Sequence, residues 1–103
     1  MPRTYSTKFI NAVKDGNPNR TGTALAHACI KANLPAKYVA EALEVTRMSV
    51  YSWFRGKPVR DKNRQIIEVF TDLVESDTAK GILPAQNLAE AKAYIESMIG
   101  RSI

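Results

Sequence analysis

Arg47, Met48, Tyr51, Ser52 and Arg55 are spaced so that, at about 100° per residue, they fall on one continuous arc of a helix. Ser49, Val50, Trp53 and Phe54 fall on the other arc. The first set offers two guanidinium groups, two hydroxyls and one flexible apolar side chain. A guanidinium can donate two parallel hydrogen bonds to the O6 and N7 edge of guanine, hydroxyls can bond to bases or phosphates, and apolar atoms can meet thymine methyls. Close behind come Lys57, Arg60, Lys62 and Arg64, opposed only by Asp61. A cluster of that kind can neutralise phosphates. The chemistry on offer is recognition of a polyanion with readable edges.

No residue pattern points to catalysis or a cofactor. His27 has no carboxylate or cysteine at ligand spacing, and Cys29 sits in an apolar stretch where it reads as a small core residue. Phosphate loops, nucleophile elbows and paired acids are lacking, so the expectation is a non-enzyme with no metal and no cofactor. Trp53 faces inward on the wheel and is expected in the core rather than stacked on a base.

Something must hold that arc outward. Thr46 is a suitable N-cap for a helix over 47–55, and Gly56-Lys57-Pro58 breaks it. Before it, Leu34-Pro35-Ala36 opens a helix to about Leu43 that buries Val39, Ala40 and Leu43. Two helices joined so tightly must cross steeply. The small Ala40 permits the approach, and Leu43, Val45, Val50 and Trp53 fill the wedge.

These residues resemble the Cro/repressor-type, lambda-repressor-like helix-turn-helix family over about residues 21–75. The resemblance rests on Leu34, Val39-Ala40, Leu43, Val45-Thr46, Val50, Trp53 and the Arg55-Gly56-Lys57 end. It implies that Thr46, Arg47 and Met48 sit over DNA, that Tyr51 and Ser52 lie further into the major groove, and that Arg55, Gly56 and Lys57 approach the phosphate backbone. Family members usually carry glycine one residue before the position of Val45, because the turn is left-handed there. This chain has Glu44 instead, and Pro58 follows Lys57 immediately.

The rest of the chain reads as helix as well. Ser6 can cap a short helix carrying Phe9, Ile10 and Val13, closed at Gly16; Thr21 to Asn33 forms another, with Leu25, Ala28, Cys29 and Ala32 on one face. A longer helix is expected from Asp61 to Glu75 with Ile66, Ile67, Phe70, Leu73 and Val74 inward, then a loop over Thr78 to Leu83. A last helix from near Pro84 presents Leu88, Ala91, Ile95, Met98 and Ile99 along one side. Leu83-Pro84-Ala85 echoes Leu34-Pro35-Ala36, which we read as shared helix-start chemistry rather than a repeat. No stretch alternates with period two as strands do. The expected fold is all-α, a single domain of five to six helices: an N-terminal extension (1–20), a helix-turn-helix core (21–75) and a C-terminal helix (76–103).

Charge is unevenly spread over the 103 residues, whose formal net charge is +5. In residues 65–103, Lys80, Lys92 and Arg101 face Glu68, Asp72, Glu75, Asp77, Glu90 and Glu96, a sum of −3, which leaves +8 for residues 1–64. A basic half and an acidic half suggest a binding face and a differently used remainder. With no apolar run of membrane-spanning length, no secretory signal core after Met1 and one cysteine, a cytoplasmic protein is expected.

The expected function is therefore a sequence-specific regulator of transcription that binds double-stranded DNA as a homodimer, of phage or mobile-element type. The last helix is a candidate dimer contact. Two alternatives stand beside it: a DNA-binding accessory in recombination, replication or packaging, and an adaptor whose helix-turn-helix binds a host protein such as RNA polymerase.

Overall fold

The computed structural model describes residues 21–103. Among them lie five α-helices and no strands: α1 (Thr21–Ala32), α2 (Ala36–Leu43), α3 (Arg47–Phe54), α4 (Asp61–Ala79) and α5 (Leu88–Ile99). The all-α bundle is as expected. The short helix foreseen around Phe9, Ile10 and Val13 lies outside the described residues.

α1 is the central strut, because it is buried along most of its length. Leu25, Ala26, Ala28, Cys29 and Ala32 are enclosed, and the helix packs against both α3 and α4. Gly22 permits the contact with α3, for a Cβ there would meet the Trp53 backbone. α1 ends on Asn33, whose φ of 57° is left-handed. Leu34 N donates to Cys29 O at 3.0 Å and Asn33 N to Ile30 O at 3.1 Å. That crossed pair satisfies the last carbonyls of the helix and turns the chain into α2.

The same device closes α2. Glu44 takes φ 57° and ψ 44°, while Val45 N donates to Ala40 O at 3.1 Å and Glu44 N to Glu41 O at 3.4 Å. Glu44 is thus a left-handed residue that carries a Cβ, at the turn between α2 and α3. Leu43, Val50 and Trp53 are buried in the wedge between α2 and α3, while Val45 is half-buried at its edge.

α4 runs to Ala79 rather than stopping near Glu75, so Thr78 belongs to a helix and not to a loop. The Thr78 hydroxyl donates back to Val74 O at 2.8 Å, within that extra turn. Of the five apolar residues expected inward on α4, Ile67, Phe70 and Val74 are buried, but Ile66 and Leu73 are about half exposed. By angle those two lie beside the buried row of Ile67, Phe70 and Val74 rather than within it.

The last helix begins at Leu88, four residues after Pro84. Residues 83–85 are held elsewhere. Asn33 Nδ2 donates to Ala85 O at 2.8 Å, Ala85 N donates to Ala32 O at 3.0 Å, and both Leu83 and Ala85 are buried. The segment is a strap across the end of α1, so Leu83-Pro84-Ala85 does not start a helix as Leu34-Pro35-Ala36 does. Asn87 takes over as the cap, its Oδ1 accepting from Glu90 N at 2.9 Å. Of the expected stripe on α5, Ala91 and Ile95 are buried, Met98 and Ile99 are partly buried, and Leu88 is exposed. α5 packs on α2, and Arg101 reaches Glu41 at 3.8 Å across a solvated gap.

Candidate nucleic-acid interface

α3 is anchored from below and bare above. Val50 and Phe54 are enclosed and Trp53 is nearly so, which fixes the inner arc in the core. At the other end Thr46 Oγ1 accepts from Ser49 N at 3.1 Å and lies 2.9 Å from Ser49 Oγ. The cap satisfies a backbone donor that the first turn cannot. With its hydroxyl so used, Thr46 defines where the helix tip stands.

Arg47 and Met48 project from that tip. Both are exposed, and Met48 is 79% accessible, the most open of the large apolar side chains among the described residues. A single exposed apolar side chain is ordinary on a protein surface, so Met48 shows only that the tip of α3 is open. Tyr51 and Ser52 are half-buried instead of fully outward. The Tyr51 ring meets Phe54 edge-on, with centroids 6.3 Å apart and planes at 80°. Tyr51 is thus shared between core and surface, and the freely accessible part of the arc narrows to Arg47, Met48 and Arg55.

The exit from α3 repeats the crossed bonding of the two earlier turns. Lys57 N donates to Ser52 O at 3.1 Å and Gly56 N to Trp53 O at 2.9 Å, and Gly56 has φ +96°, a conformation that disfavours a side chain. The chain then passes exposed Lys57 and Pro58, buries Val59 and exposes Arg60. Val59 was not foreseen. It pins the basic connection at its midpoint, and its signal in the sequence was a single β-branched residue between Pro58 and Arg60.

Lys62 and Arg64 follow in the first turn of α4, both exposed. Arg64 lies 3.6 Å from Asp61, one turn away. A solvated pair of this kind is weak and leaves the guanidinium open to a stronger anion. Arg47, Arg55, Lys57, Arg60, Lys62 and Arg64 are therefore all accessible, and they belong to one continuous piece of chain, α3 through the start of α4. Glu44 and Asp61 are the exposed acids within residues 44–64.

Groups with other chemistry lie apart from this surface. Cys29 is fully buried in α1, and burial pushes its thiol well above the ordinary range. His27 is half-buried on the same helix. Tyr94 donates to Asp77 at 2.6 Å, and burial, followed by that hydrogen bond, raises its pKa. Among the described residues no group of histidine, cysteine, aspartate and glutamate side chains could hold a metal ion, and no helix is long and apolar enough to cross a membrane.

Comparisons with known proteins returned nothing: no family model, no curated protein and no solved structure matches this chain.

Proposed function

We propose that the protein binds double-stranded DNA with α3 in the major groove and acts as a sequence-specific regulator of transcription. The observation that carries this reading is the exposed tip of α3. Its inner arc is locked by Val50, Trp53 and Phe54 while Arg47 and Met48 stand open beside a run of accessible basic residues. A protruding helix with a rigid base and a bare, cationic outer edge has the dimensions and groups that a major groove accepts. Arg47 supplies base-edge recognition, Met48 an apolar contact, and Tyr51 and Ser52 hydroxyls at the margin. Arg55, Lys57, Arg60, Lys62 and Arg64 neutralise phosphates, which position the helix without reading sequence.

The test is selection from a random duplex pool, after a shift assay with random duplex DNA at low salt. Binding in the shift assay followed by enrichment of one consensus is the expected result. Binding without enrichment contradicts the regulator and favours a DNA-binding accessory. No binding at low salt contradicts DNA recognition and leaves a protein partner for the helix-turn-helix.

A further inference from the structure

Connections between helices run over the surface, because their backbone groups need water. The joint between α1 and α2 does not: Ala32, Asn33, Leu34, Pro35 and Ala36 are all buried. Protein groups take the place of water there. Ala85 N donates to Ala32 O at 3.0 Å, and Asn33 Nδ2 donates to Ala85 O at 2.8 Å from 52 positions away. Asn33 and Glu44 are the non-glycine residues of positive φ among the described residues, both at 57°. Their side chains are used differently. Glu44 is exposed, whereas Asn33 is buried with its amide on the strap. Glycine would accept that φ with less strain, so the backbone alone does not call for asparagine at the joint.

The helices pack mainly in a row: α4 on α1, α1 on α3, α3 on α2, and α2 on α5. α2 thus takes its chief support from α3 on one side and α5 on the other, and α5 is the end of the row. Two ties bring that end back. One is the 83–85 strap on the end of α1, and the other is the Tyr94 hydroxyl, which donates to Asp77 of α4 at 2.6 Å. The row becomes a ring. In an open row α2 and α5 would hang from α3 alone, whereas in the closed ring the stance of α2 is set from both sides.

We propose that Asn33 is a positioning residue for α2 and α3. By holding the strap against the α1–α2 joint it fixes the stance of α2 and, through the turn at Glu44, the stance of the α3 tip. Its value for recognition rests on the proposed reading of α3 as a DNA-binding helix, while its effect on α2 is measured without DNA. A site that must match a rigid groove needs such support behind the residues that touch it.

The test sets Asn33→Gly, which accepts the backbone conformation and loses the amide, beside Asn33→Asp, which keeps the size and replaces the donor by an acceptor. Hydrogen exchange of the full chain should be roughly three- to tenfold faster for the amides of α2 and of Val45 in both variants, the worth of one hydrogen bond. Phe70 and Val74, in the middle of α4, should change less. Both variants should also bind the duplex selected by the unaltered chain more weakly, since only part of the α2–α3 stances then fits the groove. Binding to random duplex at low salt should stay within about twofold, because Arg55 to Arg64 carry it and lie at the opposite end of α4 from the strap. Equal loss of protection in every helix would make Asn33 an ordinary contributor to global stability and overturn the proposal. Unaltered exchange in Asn33→Asp would overturn it too, tracing any effect of glycine to its freer backbone, as would undiminished discrimination between selected and random duplex. Tyr94→Phe cuts the second tie at a half-buried position and serves if neither Asn33 variant folds; it should quicken the same α2 amides, and leaving them unmoved overturns the proposal. If the unaltered chain binds no duplex, it is the reading of α3 that fails, and the exchange pattern alone decides whether Asn33 holds α2.

Discussion

A Cβ on Gly22 would stand 2.5 Å from the carbonyl oxygen of Trp53 and 2.9 Å from its Cβ. α1 and α3 are thus in backbone contact at this point, and the seating of α3 on the core depends on the missing side chain. Trp53 is itself buried, in one core cluster with Leu43 and Val50.

Gly22→Ala therefore tests how firmly α3 is seated. Alanine favours the helical state by about 1 kcal/mol over glycine, but the new methyl has backbone rather than a flexible side chain to push against. Forcing atoms into such a site costs about 1–3 kcal/mol. The expected outcome is a lower urea midpoint with unchanged m-value. A raised midpoint would show that α1 and α3 can separate freely.

Glu44 gives a prediction of opposite sign. It holds φ 57° with its side chain exposed, a conformation that costs a residue with a Cβ about 1–2 kcal/mol. Glu44→Gly removes that strain and loses part of the gain to the greater freedom of the unfolded chain. A rise of about 0.5–1 kcal/mol in unfolding free energy is expected from denaturant titration. Destabilisation would mean that the glutamate side chain supports the turn by a contact of its own.

Alkaline pH should weaken the fold through Tyr94. Burial first, and then the hydrogen bond to Asp77, raise its pKa above the ordinary 10.0. Above pH 10 the unfolded state has released a proton that the native state still holds, so stability is fully present below that pH and falls as the pH rises past it. Burial of Cys29 acts in the same sense from its ordinary 9.0 upward. Urea midpoints at pH 7 and 8 should agree as far as these groups are concerned, and decline toward about pH 11. Tyr94→Phe should make the decline shallower, and an equal decline in the variant would remove Tyr94 from the account.

What the sequence made legible was what depends on local pattern. The α3 span, its Thr46 cap and the inward Trp53 follow from spacing and from residue types that act on their near neighbours, whereas the left-handed turn before Val45 is implied only by the family resemblance, against the residue type of Glu44. The misreadings share a different cause. Ile66 and Leu73 continue the apolar period of α4, yet the bundle covers only the row of Ile67, Phe70 and Val74 and leaves them about half open. Pro84 looks like a helix start until Asn33 and Ala32 bind Ala85 from about fifty residues away. Gly22 has no local signature of its role, which exists only once Trp53 lies across it. Tyr51 belongs to the outer arc by angle, but the neighbouring Phe54 ring draws it half inside.

Whether the tip of α3 reads base edges, as proposed, is decided by Arg47→Ala. Arg47 is exposed in the first turn, immediately after the Thr46 cap. Its removal should leave the thermal midpoint nearly unchanged, since it makes no contact within the core. Affinity should be measured on the selected duplex and on each of its single-base variants. A loss of about 1–3 kcal/mol on the selected site is expected, together with relaxed preference at one position. An equal loss on every variant would make Arg47 a phosphate contact and move specificity to Met48, Tyr51 and Ser52. Unchanged affinity on all of them would contradict the placement of α3 in the groove.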